Sequence, residues 1–291
     1  MLKKVFYYAV LILIYLISLL PFWVLYLISD GIYVMLYHIS RYRRMVVAEN
    51  LKNAFPDKSS EDRAVIGKKF YRHLADLIVE SIKLLTISRA EVSRRVHVPN
   101  PELITDAFAQ GQSVLGILGH YGNWEMSALR FSQLFDERRI IIYKPLTDRF
   151  FDNAVIKMRS RFGATLIDMK NTMRRLITYR NERTVTVLVG DQTPAKSEIS
   201  YFTNFLNQPT AVFLGVEKLA KITNSVVVFC DIRRLSRGHY RCTFIPMFAN
   251  PRESGEYEIT NAHVRYLEQV IRESPEYWLW SHRRWKFKPE A

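Results

Sequence analysis

A histidine and a carboxylate stand five residues apart in the segment LGILGHYGNWEMSAL, residues 115–129. His120 follows an apolar run typical of a buried strand, and Glu125 lies where helix-like sequence begins. On one continuous helix the two side chains would point about 140° apart, so they can meet only if the chain turns between them. Gly119 and Gly122 permit such a turn, because glycine accepts positive φ. We expect Glu125 to accept a hydrogen bond from one ring nitrogen of His120, which leaves the other free to take a proton.

The alternative interpretation of this segment is a structural histidine beside a surface glutamate. The strand-end position and the paired glycines favour the catalytic interpretation, and Asn123 is placed to cap the helix that follows. Other chemistries lack their motifs: HExxH, G-x-S-x-G and a phosphate-binding P-loop are all absent, and no cofactor or metal is predicted. A base without a protein nucleophile suits direct attack by a substrate hydroxyl.

Apolar strand-like segments alternate with amphipathic helical segments after Pro99, and this alternation predicts an α/β fold. We expect a mixed, largely parallel sheet flanked by helices. Sites in such folds form beyond the carboxyl ends of the strands. Asp191 follows the apolar run VTVLV, just as His120 follows the apolar run before it. The predicted strands are 113–119, 139–143, 164–168, 185–190, 225–235 and 239–248; the predicted helices are 58–85, 149–162, 172–180, 210–223 and 260–273, with another beginning near 124.

The N-terminal sequence predicts a membrane anchor. No charged side chain occurs from Val5 to Ser29, which exceeds the roughly 20 residues that cross a bilayer as a helix. One tilted span, a shallow hairpin and an anchor lying in the membrane plane all remain open, since Pro21 can split the helix. The arginines that follow favour a cytoplasmic location for the rest of the chain: Arg41, Arg43 and Arg44. The predicted organisation is therefore an anchor over residues 1–44 and a domain over residues 45–291.

The charge of the chain points to an anionic partner. The 291 residues include 42 Lys plus Arg and 28 Asp plus Glu, a formal net charge of +14. Nucleic acid, anionic lipid and an acidic carrier protein all fit this excess. A basic membrane protein without enzymatic activity is the competing class, but it leaves the polar residues at the strand ends unexplained. We expect no nucleic-acid partner.

Five sequence blocks occur in the order of a known family. The segment GHYGNWE resembles the H-x4-D/E motif of the glycerolipid acyltransferase superfamily. The other four blocks are IIIYKPLTDRFFDNAVIKMRSRFGATLI (140–167), VLVGDQTP (187–194), FLNQPTAVFLGVEKLAKIT (205–223) and PEYWLWSHRRWKFKP (275–289). Together with the N-terminal anchor, they resemble the late (secondary) lipid A biosynthesis acyltransferases over nearly the whole chain. Lys144 stands where that family usually has arginine, and Asn207 replaces a glycine.

This resemblance implies a function and assigns residues to it. It implies an enzyme of the inner (cytoplasmic) membrane that faces the cytoplasm and moves an acyl chain from a thioester to a lipid A precursor. The donor would be acyl carrier protein or acyl-CoA, and a lysophospholipid, an amino lipid or another glycolipid is the alternative acceptor. His120 would be the general base and Glu125 its partner. The implied substrate-binding residues are Asn123, Lys144, Arg159, Arg161, Asp191 and Gln192.

Overall fold

The structure is a computed structural model that describes residues 2–289, with side chains from residue 6 onward. The side chains of Lys3 and Lys4, which precede the apolar region, lie outside the described part. The N-terminal apolar region forms two helices, α1 (Leu2–Leu19) and α2 (Phe22–Val34), and α2 continues through a π-helical turn, Met35–Ile39. Pro21 immediately precedes α2 and separates it from α1, so the apolar region is not one continuous helix.

The second apolar helix is the candidate membrane segment. Among residues 2–289, only the helical stretch Phe22–Ile39 is long and apolar enough to cross a membrane by length and composition. Most of its surface is exposed, and Trp23 and Leu27 are more than 60% accessible. Leu25 and Ser29, in contrast, are buried. The helix therefore has one face against the protein and one apolar face without a partner in the described chain.

A mixed, mostly parallel sheet forms the centre of the molecule, as predicted. Within the described residues its strand order is β1-β9-β8-β2-β5-β3-β4, and β8 and β9 form the antiparallel pair. The strands are β1 (Val96–His97), β2 (Val114–Leu118), β3 (Arg138–Tyr143), β4 (Thr165–Asp168), β5 (Thr184–Val189), β8 (Val226–Ser236) and β9 (His239–Phe248).

Alternate residues of the central strands pack on opposite sides of the sheet. In β2, Leu115 and Ile117 belong to one hydrophobic cluster, whereas Val114 and Leu118 belong to another. This is the pattern of a strand buried on both faces. Helices cover both faces: α3 (Arg44–Ala54), α4 (Ser60–Lys83), α5 (Arg89–Arg95), α6 (Glu102–Ala109), α7 (Trp124–Phe131), α8 (Arg149–Ser160), α9 (Thr172–Thr178), α10 (Gly215–Thr223) and α11 (Glu258–Glu273).

One predicted helix begins later than expected. The sequence pattern extended it from 210 to 223, but the first residues belong to a two-stranded antiparallel hairpin, β6 (Phe202–Phe205) and β7 (Gln208–Ala211). Thr210 and Ala211 pair with Thr203 and Phe202, so α10 begins only at Gly215. The hairpin turns through Leu206 and Asn207, both with positive φ, and asparagine tolerates this conformation better than most residues.

Candidate active site

The parallel sheet brings His120 and Asp191 together. Strands β2 and β5 are neighbours in register, with Leu118 opposite Val189. His120 and Asp191 each lie two residues beyond that pair, at the carboxyl edge where sites of α/β folds form. The Nδ1 atom of His120 lies 2.6 Å from Oδ1 of Asp191, and the backbone N–H of His120 donates to Oδ2 of the same carboxylate at 2.8 Å.

The second ring nitrogen of His120 is not bound by a carboxylate. With Asp191 accepting from Nδ1–H, the Nε2 atom carries the lone pair. The side-chain amide nitrogen of Gln192 lies 3.1 Å from Nε2. The ring of Trp124 packs edge-on against the imidazole, with 4.9 Å between ring centroids. The His120 side chain is 17% exposed. Asp191 and Trp124 hold the ring in place, and Nε2 lies at the surface of the site.

Asp191 is a buried carboxylate that stays ionised. Burial by itself would raise its pKa, but the charge of the His120 ring outweighs this, together with hydrogen bonds from His120 and from Trp278. These interactions hold the pKa of Asp191 at about 2. The indole N–H of Trp278 donates to Oδ2 at 2.8 Å. An ionised partner fixes the imidazole orientation and stabilises the ring when it takes up a proton.

Glu125 does not bind His120, and this part of the prediction is wrong. Its two carboxylate oxygens accept hydrogen bonds from Nε of Arg159, at 2.9 Å, and from Nη2, at 2.5 Å. Arg159 is on α8, which follows strand β3 and contacts α7, the helix that carries Glu125. A planar guanidinium matches a carboxylate through two parallel hydrogen bonds. The partner of His120 is Asp191, which was predicted only as a residue of the same cleft.

The turn between β2 and α7, residues 119–123, is tightly constrained; we call it the His120 turn. Gly122 has φ +61°, and a Cβ atom there would lie 2.9 Å from Cγ2 and 3.0 Å from the carbonyl oxygen of Ile232. A Cβ atom on Gly119 would lie 2.7 Å from a methyl group of Leu267. The side chain of Asn123 accepts from the backbone N–H of Met126 at 2.8 Å and so caps α7, as predicted.

Two candidate substrate-binding residues have different surroundings from those predicted. Asn123 is 1% exposed, and its amide also donates to Glu80, so it has no free group for a substrate. Arg161 donates to the backbone carbonyls of Leu84 and Ile87, where its guanidinium secures the end of α4. Lys144, in contrast, is exposed directly after β3, at the same edge of the sheet as His120. Of the predicted cations, Lys144 and Arg159 remain at the site.

A segment near the C-terminus, residues 277–284, completes the site, and its role was visible only indirectly in the sequence. Tyr121 pairs with Trp278 as an isolated β-bridge. The backbone N–H of Gly122 donates to Tyr277, and that of Leu279 donates to His120, each at 3.1 Å. The sequence PEYWLWSHRRWKFKP is rich in aromatic residues, which is typical of a packed segment. The contacts with the His120 turn are tertiary, so spacing in the sequence did not reveal them.

Arg284, in the same segment, is a buried cation near Asp191. Its carbonyl accepts a hydrogen bond from Thr193, two residues beyond Asp191, at 2.7 Å. Burial lowers the pKa of Arg284 to about 10, and the charge of Asp191 opposes this shift. Its Nε and Nη1 atoms are buried and have no acceptor within residues 2–289. A water molecule or a substrate oxygen is therefore needed to complete their hydrogen bonding.

The fold and the site together define an α/β protein that is equipped for proton transfer at the carboxyl edge of its sheet. Residues 1–287 match the family described as bacterial lipid A biosynthesis acyltransferase. The chain belongs to this family and is an acyltransferase. The resemblance found in the five sequence blocks is thereby confirmed.

Individual members of the family are distant in sequence but similar in extent. The chain is 23% identical to the lipid A biosynthesis lauroyltransferase of Escherichia coli (strain K12) over 274 residues, covering 94% of this chain and 88% of that protein. It is 22% identical to the lipid A biosynthesis palmitoleoyltransferase of the same organism over 275 residues, covering 93% and 87%. The lipid A biosynthesis acyltransferase of Haemophilus influenzae (strain ATCC 51907 / DSM 11121 / KW20 / Rd) is 20% identical over 256 residues, covering 84% and 76%.

Proposed function

We propose that this protein is a membrane-bound O-acyltransferase that transfers a fatty acyl chain from a thioester to a hydroxyl group of a lipid A precursor, with His120 as general base. The observation that carries the proposal is the 2.6 Å contact between Nδ1 of His120 and Asp191, which leaves Nε2 available at the carboxyl edge of the sheet. The names of the relatives, which act in lipid A biosynthesis, support the acceptor.

The proposed reaction needs no nucleophile from the protein. Nε2 of His120 takes the proton of the acceptor hydroxyl as the oxygen attacks the thioester carbonyl carbon. The carbon–sulfur bond then breaks, and the imidazolium returns the proton to the departing thiolate. Asp191 would stabilise the charged ring throughout, because its pKa is held at about 2 and it stays ionised at neutral pH. Gln192, beside Nε2, would make room for the hydroxyl and donate to a substrate oxygen.

Positive charge supports anionic substrates. The formal net charge of +14 favours encounter with an acidic acyl carrier protein or acyl-CoA and with a phosphorylated glycolipid. Lys144 is the exposed cation at the sheet edge that would contact phosphate. Arg159 would do so only at the expense of its pair with Glu125, since its Nε and Nη2 atoms both donate to that carboxylate.

The N-terminal helices support attachment to the membrane. We assign residues 1–44 as the anchor and residues 45–291 as an acyltransferase domain on the cytoplasmic side of the inner membrane. The exposed apolar face of α2 would enter the bilayer, while its buried face rests on α4. Membrane fractionation and labelling of cysteines introduced at exposed positions would test the attachment and the orientation.

The central experiment is lipid mass spectrometry of a deletion strain complemented with variants. We expect deletion to remove one acyl chain from lipid A, the wild-type gene to restore it, and His120→Ala to fail while the protein accumulates in membranes. His239→Ala, an exposed histidine outside the site, is the matched control and should restore the chain. Near-normal acylation with His120→Ala would refute the proposed base. Intact lipid A with altered phospholipids in the deletion strain would refute the proposed acceptor.

A further inference from the structure

A buried carboxylate, Glu80 on α4, lies between the candidate membrane helix and the His120 turn. Glu80 is fully buried, and its oxygens accept hydrogen bonds from three different elements. The hydroxyl of Tyr26 on α2 donates at 3.0 Å, the amide of Asn123 at 2.6 Å and the hydroxyl of Tyr240 on β9 at 2.8 Å. A buried carboxyl group depends on each of its hydrogen-bond partners, because the protein interior offers no replacement from water.

Asn123 connects this carboxylate to the residues around His120. Its amide nitrogen donates to Glu80 while its oxygen accepts from Met126, so Glu80 fixes which way the amide points and where α7 begins. The same face of α4 also carries His73, whose Nε2 lies 3.3 Å from the carbonyl oxygen of Gly122. Helix α4 therefore contacts the His120 turn at two consecutive residues: His73 contacts Gly122, and Glu80 binds Asn123.

We propose that Glu80 is a positioning residue. Through its contact with Tyr26, it couples the position of α2 against α4 to the geometry of the His120 turn. Helix α2 then contributes to the active site in addition to attaching the protein to the membrane. This inference rests on the proposed function for its kinetic consequence, but its structural consequence can be measured without any substrate.

A second contact between the same two helices provides a control. The hydroxyl of Ser29 on α2 donates to Asp76 on α4 at 2.7 Å. Asp76 also binds Arg234, at 3.0 Å, and Arg237, at 2.7 Å, so it keeps two cationic partners when Ser29 is lost. Removing the Ser29 hydroxyl weakens the contact between α2 and α4 without removing a donor from Glu80.

The experiment compares Tyr26→Phe with Ser29→Ala in the full-length protein in nanodiscs. Each variant loses one hydroxyl that bonds α2 to α4, and Tyr26→Phe keeps the ring. Amide hydrogen exchange over residues 119–131 should increase in Tyr26→Phe and in Glu80→Gln, and should match the wild type in Ser29→Ala. We expect kcat to fall about tenfold in Tyr26→Phe with little change in KM, because a misplaced catalytic group lowers turnover more than binding.

The outcomes separate this inference from the proposed function. Equal exchange over residues 119–131 in Tyr26→Phe and Ser29→Ala would overturn the inference, whatever the activity. Absence of acyl transfer by the wild-type protein would overturn the proposed function, and the exchange measurement would still decide the role of Glu80. If Glu80→Gln fails to fold, the comparison of the two hydroxyl variants remains decisive.

Discussion

His120 and Asp191 occupy matching positions on neighbouring parallel strands, each two residues beyond the pair formed by Leu118 and Val189. Their side chains meet because the register of the sheet aligns them, not because of any spacing along the chain. The H-x4-E spacing instead places Glu125 on the first turn of α7, where it binds Arg159. The two carboxylates therefore have separate partners, and their substitution should have separate effects.

Asp191→Asn should lower the transfer rate on the order of 10⁴-fold, the size of the loss when the carboxylate of a catalytic triad is replaced by an amide. The amide favours the wrong tautomer of His120 and cannot stabilise the protonated ring. Initial rates with purified protein provide the measurement. Asp231→Asn is the control, because Asp231 is also buried but binds Arg233 and Tyr266. A similar loss in both variants would indicate a general folding defect.

The low pKa of Asp191 predicts that the folded protein loses stability in acid. Its pKa in the folded protein is about 2, against an ordinary value of 3.8. The ionised form therefore stabilises the folded state at pH values above 3.8, and this stabilisation is lost as the pH falls from 3.8 to 2. The contribution is about 2 kcal/mol. Urea unfolding of the wild type and Asp191→Asn across this range should show curves that converge in acid; parallel curves would contradict the prediction.

Glu125→Gln and Arg159→Gln should not have additive effects. Each substitution breaks the same two hydrogen bonds, so the double variant should lose little more activity than the more damaged single variant. Residues in direct contact couple by about 0.5–3 kcal/mol, which kcat/KM measurements resolve. Glu125→Gln combined with Trp278→Phe serves as the comparison and should be close to additive. Trp278 donates to Asp191, the partner of His120. Strong coupling between Glu125 and Trp278 would therefore mean that Glu125 acts through His120.

Trp278→Phe should lower activity more than Trp280→Phe. Both tryptophans are almost fully buried, and both lose one indole hydrogen bond on substitution. Trp278 donates to the charged Asp191, whereas Trp280 donates to the carbonyl of Pro275. A hydrogen bond to a charged group contributes about 1.5–3 kcal/mol, and its loss should raise the pKa of Asp191. Rates and melting temperatures of the two variants test this, and equal rates would refute a role for the indole N–H.

Gly122→Ala should destabilise the protein more than Gly111→Ala. Both glycines have positive φ, which costs a residue with a Cβ atom about 1–2 kcal/mol. A Cβ atom on Gly111 meets nothing within 4 Å, whereas one on Gly122 lies 2.9 Å from Ile232. Overpacking adds about 1–3 kcal/mol to the Gly122 variant. Chemical denaturation of both variants gives the comparison. Equal destabilisation would show that strand β8, which carries Ile232, shifts without a cost in free energy.

The sequence predicted most of the fold because the sheet strands are strongly apolar and the helices are amphipathic. It predicted the strand that ends before His120, the one that ends before Asp191, and the cap formed by Asn123, all of which depend on local chemistry. The hairpin around Asn207 was missed because each of its strands is only four residues long. Its second strand runs directly into the sequence of α10.

The pairing of charged groups was less predictable than the fold. The partner of a side chain depends on register and on which helix covers it, and neither is visible in the spacing of residues. Arg159 and Arg161 illustrate this, since they are two residues apart on helical sequence and yet bind Glu125 and the end of α4, respectively. Sequence patterns located the site residues at one edge of the sheet, and only the tertiary structure assigned their partners.

The packing of residues 277–284 against the His120 turn has a consequence for biosynthesis. During translation the helices of the proposed anchor leave the ribosome before the residues that support His120 and Asp191. The proposed anchor is therefore made well before the active site is complete. Any truncation ahead of Trp278 would leave a protein whose His120 turn and Asp191 lack this support.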